Sequence, residues 1–233
     1  MRATAILLFL AAAAAATPTV AAPAMVKASY DVFRDGLYIG VVQETFERSG
    51  VRYQLTSEIN PAGIAALFRG KEKITSSGAV TRAGLRPEQF SAERSDDPTK
   101  NLSAVFDWDA GVLHMNFDGH EQTAPLANGL QDRVSVMYQF LFLKARDVGE
   151  LRFPMTNGKK IESYHYRLAD KQQLQTPFGK LPALHLVKQH EEDGDNGVEI
   201  WLARDRHLFP LRLLIVENDG TRFEQNITRL EFK

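Results

Sequence analysis

Residues 126–145, LANGLQDRVSVMYQFLFLKA, form the only long stretch with helical periodicity in a chain otherwise made of short alternating runs. Leu130, Val134, Met137, Tyr138 and Leu141 follow one another at helical spacing and share a face. Val136, Phe140 and Leu143 make a second apolar stripe beside it. Asn128 reads as an N-cap, with Gln131 completing a capping box. Lys144 and Arg146, with Gly149 beyond them, suit a C-terminus. A helix near 128–145 that is apolar on two sides has to be buried. Asp132, Arg133 and Gln139 interrupt the apolar run, which is also too short to span a membrane.

The surroundings of that segment read as hairpins. Asp35-Gly36, Ser49-Gly50, Asp118-Gly119 and Asn157-Gly158 are turn pairs between alternating runs. In 51–60, Val51, Tyr53 and Leu55 alternate with Arg52, Gln54 and Thr56, giving one dry face and one wet one. Gly78, inside the run 71–82, marks a bulge or bend. The fold expected is all-β and mainly antiparallel. It is a strongly curved sheet or open barrel wrapped around one long central helix, with 25–233 as a single domain.

The first residues predict export. Arg2 precedes an apolar run at 5–16, and Ala22-Pro23-Ala24 offers a small-residue cleavage site, so 1–24 reads as a signal peptide. The expected location is the periplasm, with no integral membrane span after cleavage. The chain has no cysteine, which excludes a lipid-modified N-terminal Cys, disulfides and a thiol nucleophile. Its 28 basic and 29 acidic residues are interspersed. That balance argues against nucleic acid or an anionic membrane surface as the main partner.

Candidate sites are few. Asp132, Ser135 and Gln139 share a polar stripe on the apolar segment. They either hydrogen-bond the segment in place or line a pocket and orient a ligand. In PAGIAALF, 61–68, the residues Ile64, Leu67 and Phe68 are spaced as a short helix. That segment is either a cap on the open end of the sheet or a lid over an apolar cavity. None of His114, His120, His165, His185, His190 and His207 stands in metal-site spacing. DGDNG at 193–197 is half a calcium loop and reads as a turn. Without a G-x-G-x-x-G, a P-loop or a G-x-S-x-G elbow, no cofactor is expected.

The leading functional expectation is a non-enzymatic binding or envelope-maintenance protein. Its partner would be an apolar or lipid-like small molecule, or an envelope protein. A hydrolase acting on envelope material is the alternative, with Asp132, Ser135 and a histidine assembling in space. A structural module that pairs through an exposed sheet edge is the third.

Four pieces together resemble the exported bacterial family catalogued as domain of unknown function 3108. They are Y-x-V-x-x-x-G-x-x-I-G at Tyr30 to Gly40, S-S-G-x-V-x-x-x-G-L-x-P at Ser76 to Pro87, G-L-Q-D-x-x-S at Gly129 to Ser135, and W-L-A-x-D-x-x-x-x-P-L-R at Trp201 to Arg212. The resemblance implies a periplasmic, mostly antiparallel β protein and supplies no catalytic residues. The W-L-x-x-D-x-x-x-x-P hairpin is also similar to one in periplasmic lipoprotein-carrier proteins. That similarity implies, at fold level only, an open barrel with an apolar interior.

Overall fold

A computed structural model describes residues 22–189 and 195–233. Most of the expected signal peptide, His190 and part of the 193–197 turn lie outside the described residues. Among the described residues the ordered elements are fifteen strands, one short α-helix and four 3-10 turns. The first eight strands are β1 (Met25–Arg34), β2 (Leu37–Ser49), β3 (Arg52–Pro61), β4 (Glu72–Thr81), β5 (Gly84–Arg94), β6 (Leu102–Asp107), β7 (Val112–Phe117) and β8 (His120–Pro125). Then come β9 (Gln131–Asp132), α1 (Ser135–Gln139), β10 (Glu150–Thr156), β11 (Ile161–Thr176), β12 (Gly179–Lys188), β13 (Gly197–Ala203), β14 (Pro210–Val216) and β15 (Arg222–Phe232). No helix among the described residues is long and apolar enough to cross a membrane.

All fifteen strands form one sheet, in the order β8-β7-β6-β5-β4-β3-β2-β1-β15-β14-β13-β12-β11-β10-β9. Every pairing is antiparallel except the short β9–β10 ladder. The expected turn pairs do join strands: Asp35-Gly36 links β1 to β2, and Asn157-Gly158 links β10 to β11. The β4–β5 register shifts at Ser77/Gly78, where a Cβ would lie 2.2 Å from the Arg86 carbonyl oxygen. That is the bulge the sequence marks at Gly78, held free of side chain by close backbone approach.

The two outer strands, β8 and β9, are nearly consecutive in the chain. Five residues join them and can span at most about 18 Å. The sheet must therefore roll until its edges approach. Side chains rather than a backbone ladder bridge the seam, so the sheet stays unclosed. Gln131 Nε2 donates to the Leu85 carbonyl at 2.9 Å, and Thr156 Oγ1 contacts Met115 Sδ at 3.7 Å. Lys159 pairs with Asp118 at 2.9 Å across the same gap.

A long central helix is not present. The segment 126–148 instead runs as a turn, the two-residue β9, the five-residue α1, and 3-10 turns at Phe140–Phe142 and Ala145–Asp147. Gly129 has φ +74°, outside the helical region. Gln131 and Asp132 pair with Met155 and Thr156 of β10, so their backbone is committed to a sheet. Leu143 is extended, ending the helical path after Phe142. The N-cap expected at Asn128 has no role, because the helix begins at Ser135. Burial from several sides keeps an apolar run apolar whatever its local conformation, so the periodicity there reported burial rather than helix.

The short helix does sit in the interior. Tyr138 is fully buried, stacked on Phe46 at 5.2 Å between ring centroids and edge-on to Phe209 at 5.6 Å. Around these rings pack residues of β1 to β7. A second cluster, with Phe140, Leu186, Ile200 and Leu202, gathers on the β10–β14 side.

Candidate functional site

The inward positions of β2, β3 and β4 alternate as period-2 strands require. Val42, Phe46, Leu55 and Ile74 are apolar and buried there. Glu44, Ser57 and Ser76 occupy the same faces and break the pattern. Between the two core clusters lies a cavity of about 240 Å³. Its walls are mainly aliphatic and aromatic: Val42, Ile59, Ile74, Val136, Met137, Phe140, Phe153 and Ile200 among others. Its polar residues include Glu44, Ser57, Arg133 and Gln225.

Glu44 is the central polar group. Tyr138 donates its hydroxyl to Glu44 Oε2 at 3.0 Å, and Ser57 donates to Oε1 at 3.3 Å. The residue keeps some accessible surface where it borders the cavity. Desolvation nevertheless outweighs the two donors and pushes its carboxyl up to about 7. Near neutral pH this carboxyl is partly protonated, inside a mainly apolar chamber. Arg133 borders the same chamber and pairs with Glu72. Its buried Nε–H finds no acceptor among the described residues.

The polar stripe read from the sequence lies elsewhere. Asp132 is fully buried. Its Oδ1 accepts from the Val134 and Ser135 amides at 3.0 and 2.8 Å, satisfying the first turn of α1. Its Oδ2 accepts from Ser76 Oγ at 2.5 Å. Ser76 spends its one hydrogen there, so the Tyr53 hydroxyl, 2.9 Å away, donates to Ser76. Burial raises the Asp132 carboxyl above its ordinary value, against the pull of these donors. Ser135 Oγ accepts from the Asp132 amide at 2.9 Å and donates back to the Asp132 carbonyl at 3.3 Å. Gln139 accepts from Leu85 N–H and donates to the Ala83 carbonyl, both at 2.7 Å. Asp132 and Gln139 thus tie the helix to the β4–β5 hairpin, Ser135 braces Asp132, and none of the three is among the residues that line the cavity.

No histidine among the described residues hydrogen-bonds Ser135. His165 pairs with Glu150 at 2.7 Å, and His185 with Glu199 at 2.7 Å while stacking on Trp201. Ile64, Leu67 and Phe68 lie on an exposed 3-10 turn, Gly63–Leu67, that buries none of its residues and does not wall the cavity. Glu44 was missed at the sequence level. Its signal was a carboxylate between Val42 and Phe46, at the spacing of one strand face.

Comparison with known proteins agrees with this architecture. The family described as a protein of unknown function (DUF3108) matches residues 28–228. No curated protein matches the chain. A solved β-barrel-like protein of domain of unknown function DUF1849 from Brucella abortus superposes with a TM-score of 0.59 at 10% identity, covering 91% of this chain and 99% of that one. A domain from Vibrio parahaemolyticus, provisionally named an outer membrane lipoprotein-sorting protein, gives a TM-score of 0.30 at 7% identity over 90% of this chain and 84% of that one.

Proposed function

We propose, for a chain that belongs to the family of unknown function DUF3108, a non-enzymatic role: reversible binding of an apolar or lipid-like molecule inside the rolled sheet, in the periplasm. The observation that carries this reading is the cavity of about 240 Å³ walled by aliphatic and aromatic side chains. A dry apolar cavity of roughly 150 Å³ already suffices to take up benzene. Burial of a ligand's apolar part would supply affinity, at roughly 25 cal/mol per Å² before ordering costs. Glu44, Ser57 and Gln225 would set its polar end, and the Arg133 Nε–H offers a donor to an acceptor atom. A few convergent polar groups in an apolar chamber are the usual composition of a ligand site.

The test is uptake of a fluorescent fatty-acid probe by the exported protein, with native mass spectrometry of the purified sample. Val198 lines the cavity. Val198→Phe should fill it and abolish uptake while leaving the circular dichroism spectrum folded. No uptake by the natural protein, or equal uptake by Val198→Phe, removes the proposal. Among the described residues the Ser135 side chain hydrogen-bonds only Asp132, so nothing there supports the hydrolase alternative.

A further inference from the structure

From the exposed apex formed by the β1–β2 hairpin and the 3-10 turn after β3, we infer that the protein docks on an anionic phospholipid surface. Ile64, Leu67 and Phe68 are 62, 78 and 78% exposed, and Leu37 and Tyr38 are 59 and 40% exposed. The two segments are adjacent: the Ala62 amide bonds the Ile39 carbonyl at 2.8 Å, and Gly40 pairs with Pro61. Five large apolar side chains therefore share one end of the sheet. The turn is held in shape, since the Phe68 and Arg69 amides both bond the Ala65 carbonyl. An exposed apolar group this prominent marks a contact site.

The occupant follows from size and charge. A standard protein interface takes roughly 20–30 residues a side, far more than five protruding side chains. Insertion of a small apolar tip with a tyrosine at the water boundary is instead how proteins hold an interfacial membrane layer. Arg69 follows Phe68 and Lys71 comes two residues later; both are exposed, and neither forms an ion pair among the described residues. Of the nearby charges Arg94 pairs with Asp96 and Arg133 with Glu72, while Lys71 and Lys73 share a groove with Glu58 and Glu93, which leaves Arg69 as the surplus cation. That surplus positive charge beside an apolar tip complements anionic headgroups. The near-neutral chain as a whole has no such preference, so docking is a property of this end alone. Ile59, which walls the cavity, stands two residues from Pro61. The tip would thus bring the cavity close to the lipid layer.

Co-flotation of the protein with vesicles of phosphatidylethanolamine and phosphatidylglycerol tests the inference. The natural protein should float with them. Leu67→Ser with Phe68→Ser changes only exposed side chains and should weaken binding at least tenfold. Arg69→Gln with Lys71→Gln should weaken it by about fivefold per charge removed and flatten its salt dependence. Val198→Phe should float normally, so a failed cavity reading leaves this result intact. The inference is overturned if the natural protein stays out of the lipid fraction, or if the serine variant floats equally well. It is equally overturned if the apex instead drives a lipid-free dimer that the serine variant abolishes, which would assign it to a protein partner.

Discussion

Asp132 and Glu44 both turn a carboxylate into the apolar interior, and their surroundings treat them differently. Asp132 accepts three hydrogen bonds from Ser76, Val134 and Ser135 and does not line the cavity. Glu44 accepts two, from Ser57 and Tyr138, and borders the cavity. A buried charge is tolerated in proportion to the donors around it. The first carboxylate is therefore a fastener that joins β4 to the start of α1. The second is a group left responsive, with a proton affinity set near neutrality by burial.

Removing the fastener should have the largest consequence. Asp132→Ala strands the Ser76 hydroxyl and two amides in the interior, and should cost about 3–5 kcal/mol of unfolding free energy. At this size that is a fall of roughly 10 °C in Tm. Denaturant titration showing a loss below 1 kcal/mol, on the order of a single weak hydrogen bond, would make Asp132 dispensable and erase the contrast.

Glu44 should reveal itself through pH. Its folded carboxyl titrates at about 7, above the ordinary 4.5. The folded state then binds more protons than the unfolded one between those values. Stability is full below about 4.5 and is lost as pH rises through about 7, by up to about 3 kcal/mol. Glu44→Gln should flatten most of that slope. Asp132, raised in the same direction by burial, would leave a residual one. A Glu44→Gln protein that retains the full slope would move the responsive group elsewhere.

The smallest effect sharpens the assignment. Tyr138→Phe removes one donor to Glu44 at a cost of about 1 kcal/mol. Because that hydrogen bond lowers the carboxyl's proton affinity, its loss should shift the Glu44 titration upward, measurable by carbon-detected NMR of the side chain. An unchanged titration would mean that the hydroxyl does not reach the carboxylate in solution.

The contrast also shows what could be read from residues alone. Hairpin turns such as Asp35-Gly36 and the bulge at Gly78 were legible because their chemistry is local. Asp132 was visible because a carboxylate interrupts an apolar stretch. Glu44 was not, although Val42 and Phe46 flank it at strand spacing, because half the residues of any strand are polar. Which face turns inward is decided by partners far along the chain. The long helix was misread for a related reason. Leu130 to Leu143 is apolar because the seam, the β5 hairpin and both core clusters enclose it, and enclosure mimics periodicity.

The pairing of β1 with β15 places Val26 against Phe232, while the edges of the sheet come from mid-sequence. During synthesis β1 can pair with β2 early, but its other side stays open until β15 emerges. Folding is then governed by a very late, very distant ladder, the arrangement that slows β proteins most. In the meantime the eight leading strands carry a central edge with free amides and carbonyls, which is the template on which strands aggregate. A chaperone that shields this edge until the last strand arrives would raise the yield of folded protein.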